Sequence, residues 1–87
     1  MANIKSAQKR IRQNEKERER NRAIRTKMRN AIRKLRSAVE GEDSKQAQEL
    51  LVPTLSIIDV TARKGVIHAN TAARYKSRLA RAVAALG

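Results

Sequence analysis

With 87 residues, 40% of them hydrophobic and a single aromatic, Tyr75, the chain has room for one domain around a small aliphatic core. It contains no cysteine, which excludes a disulfide scaffold or thiolate metal site; no apolar run approaches the roughly 20 residues of a bilayer span, and no signal-peptide core opens the chain, so a soluble cytoplasmic protein is expected. Against 8 acidic residues stand 21 basic ones, and a formal charge of +13 at this size reads most directly as a polyanionic partner.

The charge is unevenly placed. Residues 1–40 carry 14 Lys or Arg against 4 Asp or Glu, residues 41–62 carry 1 against 4, and residues 63–87 carry 6 against none. Two basic segments flanking an acidic one suggest a polyanion-facing side and a solvent-facing side. Arginine outnumbers lysine 13 to 8, and because a guanidinium forks onto phosphate oxygens and stacks on bases, that ratio favours nucleic acid.

In chain order, Met1 to Lys5 reads as a short basic lead-in and Ser6 as the N-cap of one long helix running to Val39. Its halves differ. From Ile24 onward Met28, Ala31, Ile32, Leu35, Ala38 and Val39 recur at helical spacing within an arc of roughly 120°, whereas every residue from Arg12 to Arg22 is polar or charged. The first half therefore has no stripe that could join a core. Glu15, Glu17 and Glu19 stand three residues before Arg18, Arg20 and Arg22 and are expected to brace the helix as ion pairs. Arg18, Arg22, Arg25, Arg29, Arg33 and Arg36, spaced 4, 3, 4, 4 and 3, form one row beside the apolar arc.

Gly41 is the expected stop, and Asp43 with Gln46 three residues later resembles a capping box opening a second helix, antiparallel to the first across a tight turn. There Ala47, Leu50, Leu51, Thr54, Leu55, Ile57, Ile58, Thr61 and Ala62 cover about 160°, wide enough to touch two neighbours. Glu49, Ser56 and Asp59 fall outside that arc, toward solvent. Pro53 removes one helical hydrogen bond, and since the stripe resumes in phase a kink is expected there, without a break.

Gly65 is expected to end this helix, Val66 and Ile67 to plug the core, and Asn70 to cap a third helix running to Leu86. Ala72, Tyr75, Leu79, Ala82, Val83 and Leu86 form its apolar stripe, while Arg74, Arg78 and Arg81 point the opposite way with Ser77 beside them.

No enzyme chemistry is visible. The one histidine, His68, has no Cys, Asp or Glu within several residues to make a metal site or a nucleophile–base pair. Glu15 and Glu19 share a helix face but lie among cations that keep both ionised, and no Gly-rich phosphate loop is present. Met28 and Tyr75 read as core, and no cofactor is expected. A membrane-surface helix would need an apolar face with aromatic anchors, which the most basic part of the chain lacks. Nucleoid-type, non-specific DNA binding is the alternative reading, although no helix-turn-helix, basic zipper or minor-groove wedge is apparent. Structured RNA fits best, because a helix charged all round can neutralise phosphates on every side, which a single DNA duplex does not offer.

The opening run Met1-Ala2-Asn3-Ile4-Lys5-Ser6-Ala7-Gln8-Lys9-Arg10-Ile11-Arg12-Gln13-Asn14-Glu15-Lys16, together with Gly65-Val66-Ile67-His68-Ala69-Asn70-Thr71-Ala72-Ala73-Arg74-Tyr75-Lys76-Ser77-Arg78-Leu79, resembles the twentieth small-subunit ribosomal protein of bacteria and plastids. The resemblance covers the whole chain. It implies a structural protein that binds the large RNA of the small ribosomal subunit directly and early in assembly, low in the body of the particle, with other small-subunit proteins as neighbours. The lack of a transit peptide points to a bacterium or a plastid-encoded copy, hence to the cytoplasm or the plastid stroma. The expected architecture is all-α: an antiparallel three-helix bundle with an overlong, highly basic first helix extending from it. One domain, residues 1–87, comprises an RNA-penetrating arm (1–22) and the bundle (23–87), with no homo-oligomer expected. Candidate RNA contacts are Lys5, Ser6, Lys9, Arg10, Arg12, Gln13, Asn14, Lys16, Arg18, Arg20, Asn21, Arg22, Arg25, Arg29 and Arg33 on the first helix. On the rest of the chain they are Lys64, His68, Asn70, Thr71, Arg74, Lys76, Ser77, Arg78 and Arg81.

Overall fold

The computed structural model describes the backbone of residues 2–86 and the side chains of residues 4–86. Its three helices are α1 (Ala2–Glu40), α2 (Ser44–Arg63) and α3 (Ala69–Leu86), joined by short turns, with no strand among the described residues. α1 begins earlier than expected: Ser6 is an interior position and not a cap, because Ala2 to Lys5 contain no Gly or Pro to interrupt the helical backbone. Met1, part of the expected lead-in, lies outside the described residues.

The apolar stripes pack as their spacing requires. Met28, Ile32, Leu35 and Ala38 of α1, Ala47 and Ile58 of α2, and Ala72, Leu79 and Val83 of α3 form one buried cluster. Val39, Leu50, Leu51, Ile57, Ala62, Ile67, Tyr75 and Leu86 pack partly buried around it, and Val66 is buried in the α2–α3 connection. The wide face of α2 meets both neighbours, while α1 and α3 touch each other least. Thr61, also buried, donates its hydroxyl to the Ile57 carbonyl at 2.7 Å, so its polar atom brings no unpaired group into the core. α2 runs unbroken through Pro53. Both Pro53 and Glu49 are exposed, so the carbonyl deprived of its donor lies at the water side.

On α1, all of this burial lies in the second half. Its 39 residues span about 58 Å at 1.5 Å per residue, against a long axis of 65 Å for the whole molecule. The radius of gyration, 17.7 Å, exceeds the roughly 12 Å of a compact chain of this length because the first half of α1 projects from the bundle.

Both turns use the same device. After α1, the Asp43 N–H bonds the Ala38 carbonyl and the Glu42 N–H bonds the Val39 carbonyl, each at 3.0 Å; after α2, Val66 bonds Thr61 at 3.2 Å and Gly65 bonds Ala62 at 2.9 Å. These are Schellman closures, which place one residue in the left-handed region. After α2 that residue is Gly65 (φ 77°), but after α1 it is Glu42 (φ 55°), so Gly41 stands one position short of the place where glycine's freedom is needed. The α2 cap is correspondingly half of the expected box. Asp43 Oδ1 accepts the Gln46 N–H at 3.1 Å, whereas Asp43's own N–H is already engaged by Ala38 and is not free for the Gln46 side chain.

We therefore expect Glu42→Gly to stabilise the fold by about 0.5–1 kcal/mol by relieving left-handed strain, raising the melting midpoint by a few degrees. Gly65→Ala, at a like backbone conformation, should cost about 1 kcal/mol. Thermal melts of the two variants test this; a Glu42→Gly protein that melts below wild type would contradict the strain assignment.

Candidate nucleic-acid interface

Every described side chain from Ile4 to Arg20 is exposed. Lys5, Ser6, Lys9, Arg10, Arg12, Gln13, Asn14, Lys16, Arg18 and Arg20 thus surround a helix segment none of whose described side chains is buried, and only at Asn21 does partial burial begin. Among apolar residues here, Ile4 and Ile11 are each 56% exposed. The first turn of α1 contains no acid to offset its positive dipole end, so helix and side chains present the same sign.

The arginine row survives folding intact. Arg18, Arg22, Arg25, Arg29, Arg33 and Arg36 are all exposed, and at 100° per residue they fall within about 80° along about 27 Å of axis. The expected braces do not form: among the described residues the one ion pair is Lys76 with Asp59, at 2.9 Å, and none joins Glu15, Glu17 or Glu19 to an arginine. Fully hydrated pairs gain little Coulomb energy and lose side-chain entropy, so the three glutamates and their neighbours stay in water.

On α3, Arg74 and Arg78 are exposed, and Arg81 is exposed while its Nη2 donates to Ser77 Oγ at 2.6 Å. The ion pair corrects one expectation and qualifies another. Asp59 does not simply face solvent but reaches across to α3, and the Lys76 ammonium, a candidate contact, is engaged within the bundle. The α3 start is also one device removed from the expected one. Asn70 lies inside the first turn, and the His68 ring caps it, its Nδ1 accepting the Asn70 N–H at 3.0 Å while its carbonyl receives the Ala72 N–H at 3.1 Å. The His68 proton therefore resides on Nε2 when the ring is neutral. Thr71 is half-buried beside it.

The antiparallel fold brings Lys64 to the root of the arm, where it lines an open groove with Arg20, Ala23, Ile24 and Lys27. Lys27 is a cation that sequence reasoning missed, since it lies on the side of α1 opposite the arginine row; the antiparallel packing of α2 on α1 sets it near Lys64. A second cleft, of about 330 Å³, runs between α1 and α3 and is lined by Met28, Arg29, Ile32, Arg33, Arg36, Ser37, Glu40 and Tyr75. Chemically, these surfaces offer charge-assisted hydrogen bonds to phosphate on a rigid frame. Among the described residues no group of three or more His, Cys, Asp or Glu could hold a metal ion, and no helix is long and apolar enough to cross a membrane.

Comparison with known proteins agrees along the whole chain. The family profile described as ribosomal protein S20 matches residues 2–84. Proteins named small ribosomal subunit protein bS20 are similar at full length: that of Nitrosomonas eutropha is 48% identical over 87 residues, covering 100% of both chains. The one from Mycobacterium marinum is 52% identical over 87 residues, again 100% of both. The one from Rhodococcus opacus is 54% identical over 83 residues, 95% of this chain and 96% of the relative.

Proposed function

Because the chain belongs to the ribosomal protein S20 family, we propose that this structural protein of the small ribosomal subunit, which is not an enzyme, binds the small-subunit ribosomal RNA directly and stabilises its folding during assembly. The observation that carries the reading is α1: charged on all sides, exposed from Ile4 to Arg20, and continued by an arginine row with no intramolecular ion pair among the described residues. Guanidiniums that make no ion pair within the described residues bind phosphates without first giving up a protein partner. RNA tertiary structure surrounds such a helix with phosphates; a single duplex meets only one side of it. Residues 1–22 act as the arm that enters the RNA, 23–87 as the bundle that positions it, and small-subunit proteins are its neighbours in the cytoplasmic particle. Crosslinking in cell extract followed by sequencing of the attached nucleic acid tests the assignment: recovery of chromosomal DNA in place of ribosomal RNA would overturn it.

Replacing Arg22, Arg25 and Arg29 by glutamine should weaken RNA binding, whereas the same change at Glu49 should not. For each phosphate no longer neutralised, the slope of log K against log salt should flatten by about 0.7–0.9. Lysine at the three positions should rescue only in part, because it lacks the bidentate fork. Equal weakening by the triple substitution and by the Glu49 change would mean that the charge acts only as a diffuse field.

The arm has helical hydrogen bonds but no tertiary packing, and isolated helices of its length are marginal in water. Residues 5–22 should accordingly gain helicity on RNA. Circular dichroism with and without RNA reads this directly, and an arm that is equally helical and protease-resistant when free would refute folding on binding.

On α3, Arg74, Arg78 and Arg81 are exposed opposite the buried Leu79, and we expect them to hold a second RNA segment so that the bundle clamps. Footprinting would compare wild type, a chain lacking residues 1–22, and Arg74→Ala/Arg78→Ala/Arg81→Ala. A clamp requires the triple variant, still folded by thermal melt, to lose protection that the truncated chain retains; identical footprints would withdraw α3 from the interface.

A further inference from the structure

The cleft between α1 and α3 is not explained by phosphate binding alone. Its floor is apolar, with Met28 and Ile32 at 4% and 6% exposure. One long wall is the arginine row itself, Arg29, Arg33 and Arg36, and the other carries Tyr75, the chain's one aromatic. Tyr75 is half-buried, so part of its ring remains available. A phosphate backbone alone would gain nothing from an apolar floor or a ring, and an apolar ligand alone would gain nothing from three guanidiniums. The ligand whose chemistry matches both is a nucleotide.

Resting on the RNA-binding reading, we propose that this cleft receives one unpaired nucleotide of the bound RNA. Its base packs on Tyr75 above Met28 and Ile32, and its flanking phosphates lie on Arg29 and Arg33. The volume, about 330 Å³, is at the lower end of the range for small-ligand clefts, about 300–1,000 Å³, and fits one base rather than a duplex edge. Glu40 sets the orientation. It lies at the far end from Arg29, where it repels phosphate and can accept a hydrogen bond from an exocyclic base amino group. The opening exists because α2 spreads α1 and α3 apart, so that these two helices touch less than either touches α2. Base–aromatic stacking with cationic side chains along the backbone is the common arrangement for unpaired nucleotides.

The single aromatic makes the test specific. The full chain is prepared with 3-fluorotyrosine, giving one fluorine resonance, and mixed with the fragment of bacterial small-subunit ribosomal RNA that the protein protects from nuclease. Stacking should move that resonance upfield. In parallel, Tyr75→Leu should weaken binding of the fragment about 5- to 150-fold, the range of one base–aromatic stack, while Tyr75→Phe stays close to wild type. Thermal melts accompany both variants, and if Tyr75→Leu does not fold, the fluorine shift alone decides. A fragment that binds with the resonance unmoved overturns the nucleotide site and leaves RNA binding standing. Should no RNA be bound or protected, both readings fall together.

Discussion

The molecule is held together by one interaction, the burial of the aliphatic strip Met28, Ile32, Leu35 and Ala38 of α1 against Ala47 and Ile58 of α2 and the apolar stripe of α3. With one aromatic and no cysteine, nothing else of comparable size is available. At about 25 cal/mol per Å² of apolar surface, such a core exceeds the conformational entropy it must offset by only a small margin. The cross-helix pair Lys76–Asp59 adds at most about 1 kcal/mol, since both side chains remain more than a third exposed. The strip begins near Ile24, so everything before it is outside the reach of the core. The same burial that makes the bundle leaves the arm without one.

That division orders the electrostatics as well. Turning the strip inward forces the arginines beside it, from Arg25 to Arg36, to the surface, and among the described residues no acidic side chain forms an ion pair with the row. A net charge of +13 on so few residues opposes compaction. Extending the most basic segment away from the bundle lowers that self-repulsion. The surface that destabilises the free chain is the surface that a phosphate backbone would satisfy.

The wide face of α2 has a further consequence. A helix whose apolar arc serves two neighbours holds them at a distance from each other, and the gap between α1 and α3 lies beside the arginines. Tyr75 illustrates how position changes meaning: by spacing it belongs to a buried stripe, yet its place at the edge of that gap leaves it half-open beside three guanidiniums.

Periodicity and composition by themselves determined the all-α class, the three helices, their buried faces, the bare first half of α1 and the row of arginines, because side-chain direction along a helix follows from spacing alone. The resemblance carried by the two end runs pointed to the family. What escaped the sequence concerns places where a backbone group has more than one eligible partner. Glycine at position 41 suggested the left-handed residue, but the hydrogen bonds from Glu42 and Asp43 place it one residue later; Asn70 looked like the cap, but the His68 ring arrives first. Nor could spacing along one helix reveal that Lys76 meets Asp59, that Lys27 shares a groove with Lys64, or that Tyr75 faces the arginine row. Those pairings join residues on different helices, and their relative position is set only when α2 packs between its neighbours.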